Sequence, residues 1–145
     1  MIAITGASGF IGSALVWQLN ESGVKDLVLV GRFGKDERWK NLRKKDYRDW
    51  IDKDRFPEWV AENGNDVESI VHLGACSDTT EKDIDYLVEN NYEYSKRLWK
   101  EAVDHDIRLV YASSAATYGG GEHGYDDDVA EIPKLKPLNP YGWSK

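Results

Sequence analysis

Three glycines at three-residue spacing, Gly6, Gly9 and Gly12, separate the apolar segment Ile2-Ala3-Ile4-Thr5 from a stretch with helical periodicity. Few folds can use such a run. Glycine has no Cβ, so the chain can turn tightly after a strand and let phosphate oxygens approach its backbone. The helix expected from Phe10 to about Ser22 carries Ile11, Leu15, Val16 and Leu19 on one side. Its unpaired N–H groups and the positive end of its dipole would face the same anion. Gly12 would let helix and strand pack closely. The pattern therefore predicts a dinucleotide pyrophosphate site. A glycine turn with no ligand is the alternative, and the position between a strand and a helix favours the ligand.

A chain of 145 residues, 41% hydrophobic with six Trp, is one domain's worth and can bury a core. Cys76 is the only cysteine, so no intrachain disulfide can form and a reducing compartment fits. No stretch approaches the ~20 apolar residues of a membrane span, and Met1 leads straight into the first strand. A cytoplasmic location and no membrane partner are expected. The net charge of −7 argues against general nucleic-acid binding. Residues 32–55 run against that balance, with ten Lys/Arg and six acids. Most of those side chains read as solvated surface.

Strand and helix signals alternate, as in a parallel sheet with crossover helices. The continuous apolar run Leu27-Val28-Leu29-Val30 reads as a strand covered on both faces, and Gly23 as the stop of the helix before it. A short strand is expected near Asp46-Tyr47, a helix from about Arg55 to Glu62, and strands at 69–73 and 109–112. Between the last two, Ile84, Leu87, Val88, Tyr94, Leu98, Trp99, Ala102 and Val103 predict a helix from Glu81 to about His105, capped by Thr79 or Thr80. The fold class is α/β: a Rossmann-type, doubly wound parallel sheet with helices on both faces. The chain ends at Lys145 in what reads as the first turn of a helix. Residues 1–145 are thus expected to be an NAD(P)-binding domain cut short before a C-terminal substrate domain.

Tyr141-Gly142-Trp143-Ser144-Lys145 places a phenol and an ammonium four residues apart, on one face of a helix. A neighbouring positive charge favours phenolate, so such a tyrosine can exchange a proton with a substrate hydroxyl while hydride leaves the same carbon. Tyr92 and Lys96 match the same spacing, so spacing alone decides nothing. Tyr92 falls in the middle of the long helix. Tyr141 follows the strand that ends in Ser113-Ser114, and sheet ligands gather at the carboxyl ends of strands. Ser114 could hold the reacting oxygen, or the serine pair could simply cap the strand end.

The strings Thr-Gly-Ala-Ser-Gly-Phe-Ile-Gly (5–12), Tyr-Ala-Ser-Ser-Ala-Ala-Thr-Tyr-Gly (111–119) and Pro-Leu-Asn-Pro-Tyr-Gly-Trp-Ser-Lys (137–145) resemble the extended short-chain dehydrogenase/reductase superfamily. Within it, 72–81 (His-Leu-Gly-Ala-Cys-Ser-Asp-Thr-Thr-Glu) and 89–96 (Glu-Asn-Asn-Tyr-Glu-Tyr-Ser-Lys) are similar to the ADP-L-glycero-D-manno-heptose 6-epimerases, over the N-terminal half of such an enzyme. The resemblance implies that Phe10 and Ile11 contact the cofactor with the glycines. It puts Arg32, Arg38 and Lys53 at the adenosine end, and Leu73, Gly74, Ala75, Cys76 and Ser77 along the cofactor. Asn90 would hydrogen-bond it, Ser114 would orient substrate, Tyr141 would be the acid/base, and Lys145 would hold both the phenol and the nicotinamide ribose. It also implies a nucleotide-sugar substrate (ADP-heptose), lipopolysaccharide core synthesis, a homo-oligomer and a second acid/base residue beyond Lys145. UDP-hexose 4-epimerases, reductases and a cofactor-binding module without turnover stay open. A dehydratase fits less well, because Ala115-Ala116 follow Ser114 in place of an Asp-Glu pair.

Three positions depart from the family pattern. Gly31-Arg32 stand where Asp-Asn is usual, and Leu73 where Glu is common. An acidic residue at 31 would grip the ribose 2′-hydroxyl of NAD and repel a 2′-phosphate. Glycine removes the repulsion and Arg32 offers a bidentate phosphate partner, so NADP is expected in preference to NAD. His72 is expected to be a packed strand residue rather than a metal ligand, and Cys76 a buried small hydrophobe.

Overall fold

The computed structural model describes all residues, 1–145. They form two compact units: Met1–Gly74 with Lys96–Ala112, and Ala75–Ser95 with Ser113–Lys145. The first holds a five-stranded, all-parallel sheet of β1 (Ile2–Thr5), β2 (Leu27–Gly31), β3 (Asp49–Asp52), β4 (Ser69–His72) and β5 (Arg108–Tyr111), in the order β3-β2-β1-β4-β5. Ile2 pairs with Leu27 on one side and Ser69 on the other. The strand order therefore reverses between β1 and β4, the place where sheets of this kind bind ligands. Helix α1 (Phe10–Glu21) connects β1 to β2, and α2 (Phe56–Asn63) connects β3 to β4. Leu27, Val28, Leu29 and Val30 are all fully buried, as a continuous apolar run requires. Ile4, Ala7, Val16, Leu27, Leu29 and Leu42 form a buried cluster, each large side chain contributing roughly 1.5–3 kcal/mol of transfer free energy. The Rossmann-type α/β fold expected from the sequence is present, a parallel sheet flanked by helices.

One strand lies elsewhere than expected. Residues 46–47 are loop, and β3 begins at Asp49. Asn20 explains the shift: its Oδ1 accepts the Asp46 N–H at 2.8 Å and its Nδ2 donates to the Asp46 carbonyl at 2.9 Å. Both backbone groups of Asp46 are thereby taken from the ladder. The charged stretch before it contains a 3₁₀ turn, Arg38–Leu42, which delivers Leu42 to the core.

The long helix begins in the second unit at α3 (Ile84–Leu87) and widens into a π turn at Val88–Glu93; its continuation, α4 (Tyr94–Asp104), belongs to the first unit from Lys96 on. Its cap is Asp83, not Thr79 or Thr80: the Asp83 carboxylate accepts the Tyr86 N–H at 3.0 Å, while the Thr80 hydroxyl donates to Asp78 at 2.7 Å. Short 3₁₀ turns follow at Ala115–Tyr118 and Val129–Lys134, then α5 (Pro140–Trp143). Asn139 caps α5, its Oδ1 accepting the Gly142 N–H at 2.7 Å, and Pro140 at the first position costs no hydrogen bond.

Candidate functional site

The expected site residues fall into two groups, one in each unit. In the first, β1 hands over to α1 through Gly6, whose φ of +68° admits glycine far more readily than any L side chain. The Gly9 N–H returns to the Gly6 carbonyl at 2.9 Å, closing the turn. Gly12 is buried beneath it: a Cβ there would stand 2.3 Å from the Gly6 carbonyl oxygen. A Cβ on Gly6 would meet the Gly74 backbone at 2.9 Å, so the loops after β1 and β4 touch through bare backbone. Thr5 ties the same two strand ends together. Its hydroxyl receives the Gly74 N–H at 2.9 Å and lies 2.6 Å from His72 Nδ1. His72 is buried at the end of β4, the packed strand residue expected. Leu73 packs its side chain on the core cluster.

Phe10 and Ile11, at the first turn of α1, are 89% and 68% exposed. Asn41 anchors the loop from below, its Nδ2 donating to the Ser8 carbonyl at 2.9 Å. At the end of β2, Gly31 presses on the Trp50 ring, which stacks on Phe33 with centroids 4.0 Å apart. Arg32 pairs with Asp54, and Lys53 stands 3.7 Å from the same carboxylate. Arg38 pairs with Asp36 at 2.6 Å. The cations expected at the adenosine end thus all have carboxylate neighbours.

The second group centres on a residue that the motifs above do not single out. Asn91, in the π turn, is buried and fully hydrogen-bonded. Its Oδ1 accepts the N–H of Cys76 at 2.8 Å, and its Nδ2 donates to the Cys76 carbonyl at 3.0 Å and to Ser144 Oγ at 2.9 Å. Ser144 in turn donates to the Tyr141 carbonyl at 2.8 Å. One amide therefore fixes the Ala75-Cys76-Ser77 loop and the Tyr141–Lys145 turn together. Asn90 donates to Asn91 Oδ1 at 2.9 Å. Cys76 itself is half-buried rather than buried, because its backbone, not its thiol, is what the structure holds. Ser114 opens the Ala115–Tyr118 turn, its Oγ accepting the Ala116 N–H at 3.2 Å. Gly142 sits directly on that turn: a Cβ at 142 would be 2.6 Å from the Ala116 carbonyl oxygen.

Burial pushes the Lys145 ammonium down to about 8. A base whose pKa falls on folding destabilises the fold below that pH, and the penalty is relieved as pH rises from about 8 towards the ordinary lysine value. Any contact needing the ammonium runs the opposite way, complete below about pH 7 and lost through pH 8. With ¹³C-labelled lysine, one Cε resonance should titrate with a midpoint near 8 and vanish from the spectrum of Lys145→Met. A midpoint above 10 for every lysine would contradict the burial.

A family model described as the NAD dependent epimerase/dehydratase family matches residues 2–145. The chain belongs to that family. It is 53% identical to the ADP-L-glycero-D-manno-heptose-6-epimerase of Fusobacterium nucleatum, over all of this chain and 45% of the relative. It is 48% identical to the enzyme of the same name from Nitratidesulfovibrio vulgaris (strain DP4), over all of this chain and 46% of the relative. The chain therefore spans about half the length of the curated relatives it matches. Among solved structures, it is similar to Helicobacter pylori ADP-L-glycero-D-manno-heptose-6-epimerase, with a TM-score of 0.79 and 27% identity over 99% of this chain and 47% of that one.

A dinucleotide suits the first group of residues. The space that side chains at Gly6 and Gly12 would claim is kept for backbone, and Phe10 and Ile11 of the first helical turn are exposed.

Proposed function

We propose that residues 1–145 are the NAD(P)-binding domain of a cytoplasmic nucleotide-sugar epimerase that uses NADP and inverts C6 of ADP-glycero-manno-heptose, for lipopolysaccharide core assembly. The names of the curated relatives support the sugar. The observation that carries the catalytic part is the seating of Gly142 on Ala116, which sets the turn of Tyr141 and Lys145 against the turn that Ser114 begins. The nicotinamide, when bound, supplies a hydride acceptor that can return the hydride. Everything else falls to the chain. Ser114 hydrogen-bonds the hydroxyl at the reacting carbon, and the Tyr141 side-chain oxygen is the base that takes its proton as the carbon becomes a carbonyl. Lys145 holds the phenol and the ribose by charge-assisted hydrogen bonds. Leu73, Gly74, Ala75, Cys76, Ser77 and Asn90 line the cofactor, with Arg32, Arg38 and Lys53 at its 2′-phosphate. A second proton handler beyond Lys145 and a homo-oligomeric assembly complete the proposal.

The test joins residues 1–145 to the remaining half of the Fusobacterium nucleatum relative and assays ADP-heptose epimerisation by NMR. The chimera should turn over, and Tyr141→Phe should lose at least about 10³-fold in kcat while retaining cofactor affinity. The 145-residue chain by itself should bind cofactor and leave the sugar unchanged. A chimera that binds NADP and epimerises UDP-glucose but not ADP-heptose would reassign the sugar, and an active Tyr141→Phe protein would remove the mechanism.

A further inference from the structure

Asp54 stands where a phosphate would be welcome. One of its carboxylate oxygens takes the Arg32 guanidinium, and Lys53 Nζ lies 3.7 Å from the other. The Lys53 N–H donates to the Gly31 carbonyl at 3.2 Å, which holds residues 53–54 over the end of β2, beside the position where an acidic side chain is missing. The other carboxylates nearby are committed elsewhere. Asp52 accepts the Asp54 N–H at 2.9 Å, and Asp36 accepts both the N–H and the Nε of Arg38, at 2.9 and 2.6 Å. Asp54 is thus the anion that Arg32 keeps in the free protein.

We infer that Asp54 is a selectivity residue: its carboxylate competes with the 2′-phosphate of NADP for Arg32 and so sets the preference between NADP and NAD. The inference rests on the reading of Arg32 as the 2′-phosphate ligand. Both side chains are about half exposed, 55% for Arg32 and 53% for Asp54, so water screens the pair and a dianion can displace the carboxylate at modest cost. NAD offers only a hydroxyl at this point and gains little from a released guanidinium. The competition therefore acts on one cofactor and spares the other.

Titrations of the 145-residue protein with NADP and with NAD, followed by calorimetry, test this. Asp54→Asn keeps the shape and removes the charge, and should tighten NADP about five- to tenfold while moving NAD less than about twofold. In the Arg32→Ala background the same substitution should change neither affinity. An Asp54→Asn protein with an unchanged NADP affinity, or with NAD tightened equally, overturns the inference, provided Arg32→Ala weakens NADP. An Arg32→Ala protein that binds NADP as tightly as the parent removes the phosphate reading and this inference with it.

Discussion

Asn91→Ala is expected to lower the unfolding free energy by about 2–4 kcal/mol, the largest loss from any single polar side chain here. The substitution leaves the half-buried N–H and carbonyl of Cys76 and the buried hydroxyl of Ser144 without the amide they bond. Each buried group left unpaired costs about 1–3 kcal/mol, and partial relaxation keeps the total below the sum. Ser144→Ala removes one link of the same chain and keeps both Cys76 bonds, so it should cost about 1 kcal/mol. Urea denaturation of the two variants beside the parent gives the comparison. An Asn91→Ala protein within about 0.5 kcal/mol of the parent would mean that the Cys76 loop is held by something else.

The second large effect is at Gly12. On helix propensity alone, alanine would stabilise α1 by about 1 kcal/mol. Sterics oppose it: the new methyl would fall 2.3 Å from the Gly6 carbonyl oxygen and 2.8 Å from Ala7 Cα, both backbone atoms that cannot swing aside. We expect the clash to win, with a net loss of about 2–4 kcal/mol and at least tenfold weaker NADP binding if the loop that moves holds the diphosphate as proposed. Gly23 is the control. Its φ is +84°, but no atom lies within 4 Å of the place a methyl would take, so Gly23→Ala should cost only the left-handed backbone strain, about 1 kcal/mol. A stabilised Gly12→Ala protein would show that the helix can slide away from the strand.

How far the sequence could be read depended on which interaction decided each feature. The glycine loop, the buried run at 27–30 and the crossover helices follow from local chemistry, and they stand where periodicity and glycine spacing put them. Strand β3 does not, because Asn20, distant in sequence, captures the backbone of Asp46. The cap at Asp83 was within reach of the usual signals, since a carboxylate stands just before the first apolar residue, Ile84. Asn139 followed by Pro140 was an equally plain start signal for α5. Asn91 carried a subtler mark. Leu87, Asn91, Tyr94 and Leu98 are all buried at helical spacing, so a polar residue occupies an apolar stripe, and such a residue must have partners. The Arg32–Asp54 pair left no mark, because no spacing rule joins a residue following β2 to one following β3.

The order β3-β2-β1-β4-β5 carries a consequence for how the chain assembles. No two neighbouring strands are antiparallel, so no hairpin is available as a seed, and each pairing waits for a crossover to close. The closures nearest in sequence join β2 to β3 (Val28 with Asp49) and β1 to β2 (Ile2 with Leu27), whereas β1 meets β4 only when Ser69 reaches Ile2. The glycine loop after β1 therefore belongs to a pairing that closes with less loss of chain entropy than the one that brings β4 to β1. During synthesis it can be shaped before the opposite wall of its crevice, carried on β4, has left the ribosome.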